Sequence, residues 1–280
     1  MIGCVDMGGG TRGIYGAGVL DGCLDLGIHF DGMYAVSAGS ANAVSYMAGQ
    51  RGRNYRFYTS YFSRAQTMGP RTALHTRNLL DLDYIYCAIS AQDGEDPLDY
   101  DTFQANPARL EVVTTDARSG KSVYFHKDDI SLDHYECLCA SSTLPLVNRP
   151  YIYKGRAYFD GGVSDPIPLH RALEDGCDRV VVILTRSKNL PGVSRYQRSQ
   201  ARLLRRRYPG TADAILNRCR LYDEALALAR SLEESGKVLI LSPEELPLMR
   251  TLTRNRESLD LLYQAGLDAA QRIPAFLNRT

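Results

Sequence analysis

Residues 34 to 47 read YAVSAGSANAVSYM, from Tyr34 to Met47. The pattern predicts a buried strand that ends at Val36 and turns at Ser37 directly into a helix of small residues. A serine hydroxyl is a poor nucleophile at neutral pH. It needs to be pushed out of the backbone on a sharp turn, beside a base and beside donors for a developing oxyanion. The nucleophile elbow GxSxG supplies the turn, and its flanking positions stay small because strand and helix backbones pass in contact there. Here the motif reads Ala35-Val36-Ser37-Ala38-Gly39, with alanine where the first glycine is usual. An ordinary strand-turn-helix fits the same five residues, so the reading turns on partners elsewhere in the chain.

The first partner lies upstream. Ile2 to Asp6 predicts a buried strand, Met7 to Gly13 (MGGGTRG) a glycine-rich loop, and Tyr15 to Leu26 a helix with Val19, Leu20, Cys23 and Leu24 on one face. Such a loop offers several backbone N–H groups at a helix N-terminus, a ready anion site. Two functional readings compete with a plain tight turn. Gly8, Gly10 and Gly13 satisfy GxGxxG, and Asp31 follows at about the 20-residue spacing of a ribose-binding acid, which is the NAD(P) fingerprint. The rival is an oxyanion hole in which Gly9 and Gly10 donate to an intermediate formed at Ser37. Ile28 to Phe30 is too short for the second strand of a dinucleotide fold, and Asp31 runs straight into the strand ending at Ser37.

The second partner lies downstream. Arg109 to Thr115 predicts a strand with Lys121 to His126 as its hairpin partner, Ile130 to Ser142 a helix, and Tyr151 to Phe159 a hairpin turning at Lys154 and Gly155. That hairpin delivers Asp160-Gly161-Gly162 in a loop at an edge, where catalytic residues collect. Among the histidines only His170 follows Asp160, early in the next helix, as the chain order of a Ser-Asp-His triad requires. A Ser37–Asp160 dyad, with the aspartate as general base, is the simpler reading. Asn54 to Arg64 predicts a helix with an aromatic face, read as core rather than substrate wall.

Composition bounds the class. With 280 residues, 44% hydrophobic and 23% charged, the chain suits a globular protein with a sizeable core. No apolar run approaches the roughly 18 residues of a membrane span. The N-terminus enters a strand at once, without a signal-like leader. Seven cysteines, scattered and without a CxxC pair, suit a reducing cytoplasm and suggest no metal site. The net charge of +1 gives no global pull toward nucleic acid. Locally, Arg195, Arg198, Arg202, Arg205, Arg206 and Arg207 form a cluster, read as a solvated helix face or as a surface for anionic lipid headgroups.

Three blocks in this order resemble the patatin-like phospholipase family: Gly8-Gly9-Gly10-Thr11-Arg12-Gly13, the Ala35 to Gly39 elbow, and Asp160-Gly161-Gly162. The resemblance spans residues 8 to 162. It implies Ser37 as nucleophile, Asp160 as base and the Gly9 and Gly10 amides, with Gly8, as oxyanion donors. Arg12 matches the family's loop arginine, with loop bracing and substrate phosphate as its two open roles. The expected fold is a three-layer α/β/α sandwich around a mainly parallel sheet, in one domain over residues 1–280 with a helical portion from about residue 195. The expected activity is hydrolysis of lipid carboxylic esters without metal or cofactor, in the cytoplasm or at the membrane periphery. An NAD(P)-binding oxidoreductase and a noncatalytic protein of anionic membrane surfaces are the alternatives.

Overall fold

A computed structural model describes residues 1–190, 192, 196–243, 252 and 255–278, without the side chains of residues 70 and 71. Its spine is one mixed sheet. Strands β1 (Ile2–Asp6), β2 (Gly32–Val36), β3 (Arg109–Asp116), β4 (Ser122–His126), β5 (Tyr151–Tyr153), β6 (Arg156–Asp160), β7 (Arg179–Ile183) and β8 (Val238–Leu241) are the eight found among the described residues. Their order is β5-β6-β3-β2-β1-β7-β8, with β4 also paired to β3. The pairs β3–β2, β2–β1, β1–β7 and β7–β8 are parallel, whereas β4, β5 and β6 add antiparallel pairs at the β3 end.

The helices among the described residues, in chain order, are α1 (Ile14–Asp25), α2 (Ala38–Met47), α3 (Arg53–Arg56), α4 (Pro70–Thr76), α5 (Tyr100–Ala105), α6 (Glu136–Ser141), α7 (Leu169–Glu174), α8 (Gln197–Leu204), α9 (Pro209–Glu234), α10 (Arg256–Ala270) and α11 (Ile273–Leu277). They cover both faces of the sheet. In β7 the alternation that a pleated strand imposes is plain. Val181 and Ile183 join the core under α1, α2 and α10, while Val180 and Val182 join the core under α7 and α9. Burial on both faces explains why this strand reads as a continuous apolar run.

Several predicted helices differ in extent. Of Ile130 to Ser142, only Glu136–Ser141 is helical, because a turn bridging Ser131 and His134 precedes it. The aromatic stretch continues from α3 as a wider π-turn over Phe57–Tyr61, and its Phe57, Tyr58 and Tyr61 are core residues. The C-terminal helix divides into α10 and α11 at Arg272, where Pro274 cannot continue the ladder.

Helix α1 packs on α10 at backbone contact. A Cβ on Gly266 would lie 2.2 Å from the Tyr15 carbonyl oxygen, and one on Gly18 would lie 2.2 Å from that of Tyr263. This closeness seats the C-terminal helix on the element that opens from the glycine loop. Gly266→Ala is expected to cost about 1–3 kcal/mol by overpacking, read as a lower urea midpoint. An unchanged midpoint would refute the contact.

Candidate active site

Strand β2 ends at Val36, and Ser37 takes φ 55° and ψ −130°, a backbone region that costs a non-glycine residue about 1–3 kcal/mol. Local hydrogen bonds hold it there. The Ser37 N–H donates to Ser141 Oγ at 2.8 Å, and Ser141 Oγ donates in turn to the Val113 carbonyl at 2.7 Å. The Ser40 N–H and hydroxyl both donate to the Ser37 carbonyl. The elbow tolerates Ala35, which lies fully buried in β2 opposite Asp6 of β1 and Val112 of β3.

Asp160 arrives from the other direction. Strand β3 pairs with β2 through Arg109–Val113 and with β6 through Thr114–Asp116, while β4 runs along residues 111–115. A strand has two edges, and β4 overlaps both neighbours, so β2 and β6 share one edge of β3 end to end. Val36 pairs with Val113 and Asp160 with the next residue, Thr114, so the ends of β2 and β6 meet. Asp160 is therefore the last residue of a strand rather than part of an open loop. Its N–H donates to the Thr143 carbonyl, its carbonyl accepts from Thr115 Oγ1, and its Oδ1 accepts the Gly162 N–H at 2.8 Å. Asp160 is 4% exposed. Burial pushes its pKa above the usual carboxylate range, opposed by the Ser37 hydrogen bond, the Arg218 charge and the Gly162 amide.

The glycine loop crosses beside the elbow. Gly8 (φ 63°) has no room for a side chain, since a Cβ would lie 2.1 Å from the Val36 carbonyl oxygen. Its N–H donates to Asp6 Oδ1 at 2.9 Å, and its carbonyl accepts from Thr185 Oγ1. Gly8 is thus committed to holding the loop, contrary to the expectation that its amide joins those of Gly9 and Gly10. Gly9 and Gly10 line the cleft with Ser37 and Asp160. Arg12 lines it too and reaches back to the Gly9 carbonyl at 3.5 Å, a bracing contact.

Asp6 is a further part of this arrangement. Fully buried, it accepts from Gly8 and from Asn42 Nδ2 at 3.0 Å, and a Cβ on Gly39 of the elbow would lie 2.6 Å from its carbonyl oxygen. Asn42 also donates to the Gly13 carbonyl and accepts from the Tyr58 hydroxyl. The sequence offered one signal for Asp6, an acid ending an otherwise apolar strand. None marked Ser141 or Asn42, whose roles depend on contacts far along the chain.

The cleft holds about 630 Å³. Apolar side chains such as Leu144, Val147, Val163 and Ile215 line it. So do Arg186, just beyond β7, and Arg218 of α9. The five histidines are all exposed, and none lines the cleft. Asp31 sits at the amino end of β2, where Ile2 N–H donates to it, away from the loop that follows β1. An NAD(P) ribose at Asp31 would therefore lie at the opposite end of the sheet from the glycine amides. Outside the cleft, Asp83, Cys87 and Cys139 bring three ligand atoms within 4.8 Å. Burial pushes the Cys139 thiol well up, and it donates to the Leu82 carbonyl as a thiol would. Arg198, Arg202, Arg205, Arg206 and Arg207 are exposed along α8 and the turn after it, and Arg195 lies outside the described residues.

The chain belongs to the patatin-like phospholipase family, whose family model matches residues 7–173. Residues 208–278 match a domain of unknown function, DUF6363. The chain is 32% identical over 191 residues to the uncharacterized protein YjjU of Escherichia coli, covering 64% of this chain and 50% of that one. It is 27% identical to an uncharacterized NTE family protein of Mycobacterium bovis over 58% of this chain and 42% of that one. The chain thus spans about half the length of these relatives. The crystal structure of VipD from Legionella pneumophila aligns with TM-score 0.45 and 12% identity, over 97% of this chain and 66% of that one.

Burial pushes Asp6 up to about 6. A carboxyl whose folded pKa is raised favours the native state below its unfolded pKa, and that contribution is lost as pH rises toward 6. Asp6→Asn removes this titration. Urea unfolding should therefore show the variant gaining on the wild type between pH 4 and pH 7, by on the order of 3 kcal/mol. A stability difference independent of pH would contradict a buried, titrating Asp6.

Proposed function

We propose that this chain is a serine acyl hydrolase that cleaves carboxylic ester bonds of lipids through a Ser37–Asp160 dyad. One observation carries the reading: a serine in strained backbone at a strand end, beside a buried aspartate in the same apolar-lined cleft. Asp160 takes the Ser37 proton as Oγ attacks the ester carbonyl carbon, and the carbonyl electron pair moves onto oxygen. The Gly9 and Gly10 amides donate to that oxyanion. Collapse breaks the ester C–O bond, Asp160 returns the proton to the leaving alcohol, and acyl-Ser37 remains. A water molecule then gives its proton to Asp160 and attacks the acyl carbon, releasing the carboxylic acid and restoring the serine. No histidine, metal or cofactor enters this sequence.

Family membership supports the lipid class of substrate. Seven free cysteines support a reducing, cytoplasmic setting. Among the described residues no helix is long and apolar enough to cross a membrane. Peripheral contact with anionic lipid is our reading for the exposed arginines of α8, supported by Tyr196 and Leu203, which are exposed beside them.

A fluorophosphonate probe is expected to label the wild type and not Ser37→Ala; labelling that survives the substitution removes Ser37 as nucleophile. Asp160→Asn should lower kcat on a lysophospholipid roughly 10²–10⁴-fold. In the wild type, kcat/KM should fall on the acid side around a midpoint above the ordinary carboxylate range, because Asp160 must be ionised to act and burial raises its pKa. Co-sedimentation with vesicles containing phosphatidylserine should weaken when Arg198, Arg202 and Arg206 become Gln, and should fall with added salt. Equal pelleting of wild type and variant would exclude α8 as the contact.

A further inference from the structure

Four groups from three parts of the chain converge in the cleft: Arg12 of the glycine loop, Arg186 beyond β7, and Arg218 and Tyr222 one turn apart on α9. Their proximity is electrostatic as well as geometric. The charges of Arg186 and Arg218 both reach Arg12, and the guanidinium of Arg186 stacks 5.2 Å from the Tyr222 ring centre. A Cβ on Gly162, two residues after Asp160, would lie 3.6 Å from Arg218 Nη2. Among the described residues, Asp160 is the one carboxylate lining this cleft, set against the guanidinium groups of Arg12 and Arg218 with that of Arg186 beside them. Neither Arg12 nor Arg218 makes an ion pair with a described carboxylate.

The hydroxyl of Tyr222 is an independent sign of a missing ligand. It is buried and has no hydrogen-bond partner among the described residues, although a buried hydroxyl left unpaired is destabilising. A ligand oxygen among the arginines would accept from it. Planar guanidinium groups suit phosphoryl oxygens, which they bind through paired, charge-assisted hydrogen bonds. The positive charges of Arg12 and Arg218 repel a headgroup that carries its own ammonium.

We infer that Arg12, Arg186, Arg218 and Tyr222 form a subsite for the phosphomonoester of a lipid ester, selecting an anionic headgroup over a zwitterionic or neutral one. This rests on the hydrolase reading for its substrate, but the subsite itself is a binding property. It also gives the C-terminal block, of unassigned function, a place in the cleft, because α9 supplies Arg218 and Tyr222.

The test measures binding separately from turnover. In full-length Ser37→Ala protein, calorimetry compares decanoyl lysophosphatidic acid, decanoyl lysophosphatidylcholine, decanoyl monoacylglycerol and inorganic phosphate. Lysophosphatidic acid should bind at least tenfold more tightly than each of the other three. Adding Arg186→Gln and Arg218→Gln should reduce its advantage over the monoacylglycerol to less than threefold, with partial recovery on Arg218→Lys. Equal affinities for the three lipids, or a preference that survives the double substitution, overturns the subsite. Phosphate binding as tightly as the lipid overturns the lipid-headgroup form in favour of a free anion. The preference of the Ser37→Ala protein needs neither arginine substitution, so a double substitution that does not fold leaves the main comparison standing. An arginine-dependent preference without ester turnover or probe labelling in the wild type sinks the hydrolase reading and supports the subsite. Turnover with equal affinities does the reverse.

Discussion

A buried carboxylate under the glycine loop holds the functional end of this fold together. Asp6 ends β1, accepts the Gly8 N–H and the Asn42 amide, and packs against Gly39 of the elbow. Burying it costs free energy, as its raised pKa records, yet removing one partner would leave another polar group orphaned in the interior. Loop, elbow and the start of α2 are therefore fixed relative to one another by one side chain. The Gly8 amide is consumed in this bracing, which is why the glycine run faces the cleft only from Gly9 onward.

The second constraint is strand topology. Two strands of opposite direction share one edge of β3, so the end of one and the end of the other come together without any loop having to reach across. Ser141 ties this junction to the elbow by bridging the Ser37 N–H and the Val113 carbonyl. Placement by sheet register is more exact than placement by loops, because a register slip of one residue would turn every side chain of the strand to the other face. Residues 123 positions apart can thus be aligned by backbone pairing alone (160 minus 37).

What was legible in the sequence was whatever has a local cause. The elbow, the glycine loop and Asp160 each carry glycines in a short motif, with positive φ in the loop and close approach to the Asp6 and Val113 carbonyls at Gly39 and Gly161, and β1 and the Lys154–Gly155 turn are seen where the pattern puts them. The apolar spacing predicts helices over residues 168–176 and 211–235, and α7 and α9 lie within a residue or two of those ends. The Ile130 to Ser142 segment was overextended because apolar spacing resembles a helix even where a short turn interrupts it. Arg186, Arg218 and Tyr222 had no local signature at all. Arg218 lies in a stretch of exposed, charged helix whose sequence is that of any solvated face, and only the packing of α9 beside Asp160 gives it a neighbour there.

The electrostatics of Asp160 join these levels. In the dyad we propose, the base must be desolvated enough to hold a proton briefly and ionised enough to take it. Burial raises the pKa, while the Ser37 hydroxyl, Arg218 and the Gly162 amide lower it. Of these opposing groups, Arg218 alone belongs to the C-terminal block. An anion seated among the arginines would cancel part of their field at Asp160 and make the carboxylate more basic when the cleft is filled. The Arg218 guanidinium, which opposes the rise in the Asp160 pKa, would then yield part of its influence to the ligand, so that in the proposed mechanism headgroup binding and the strength of the base are coupled through one residue rather than through a conformational change.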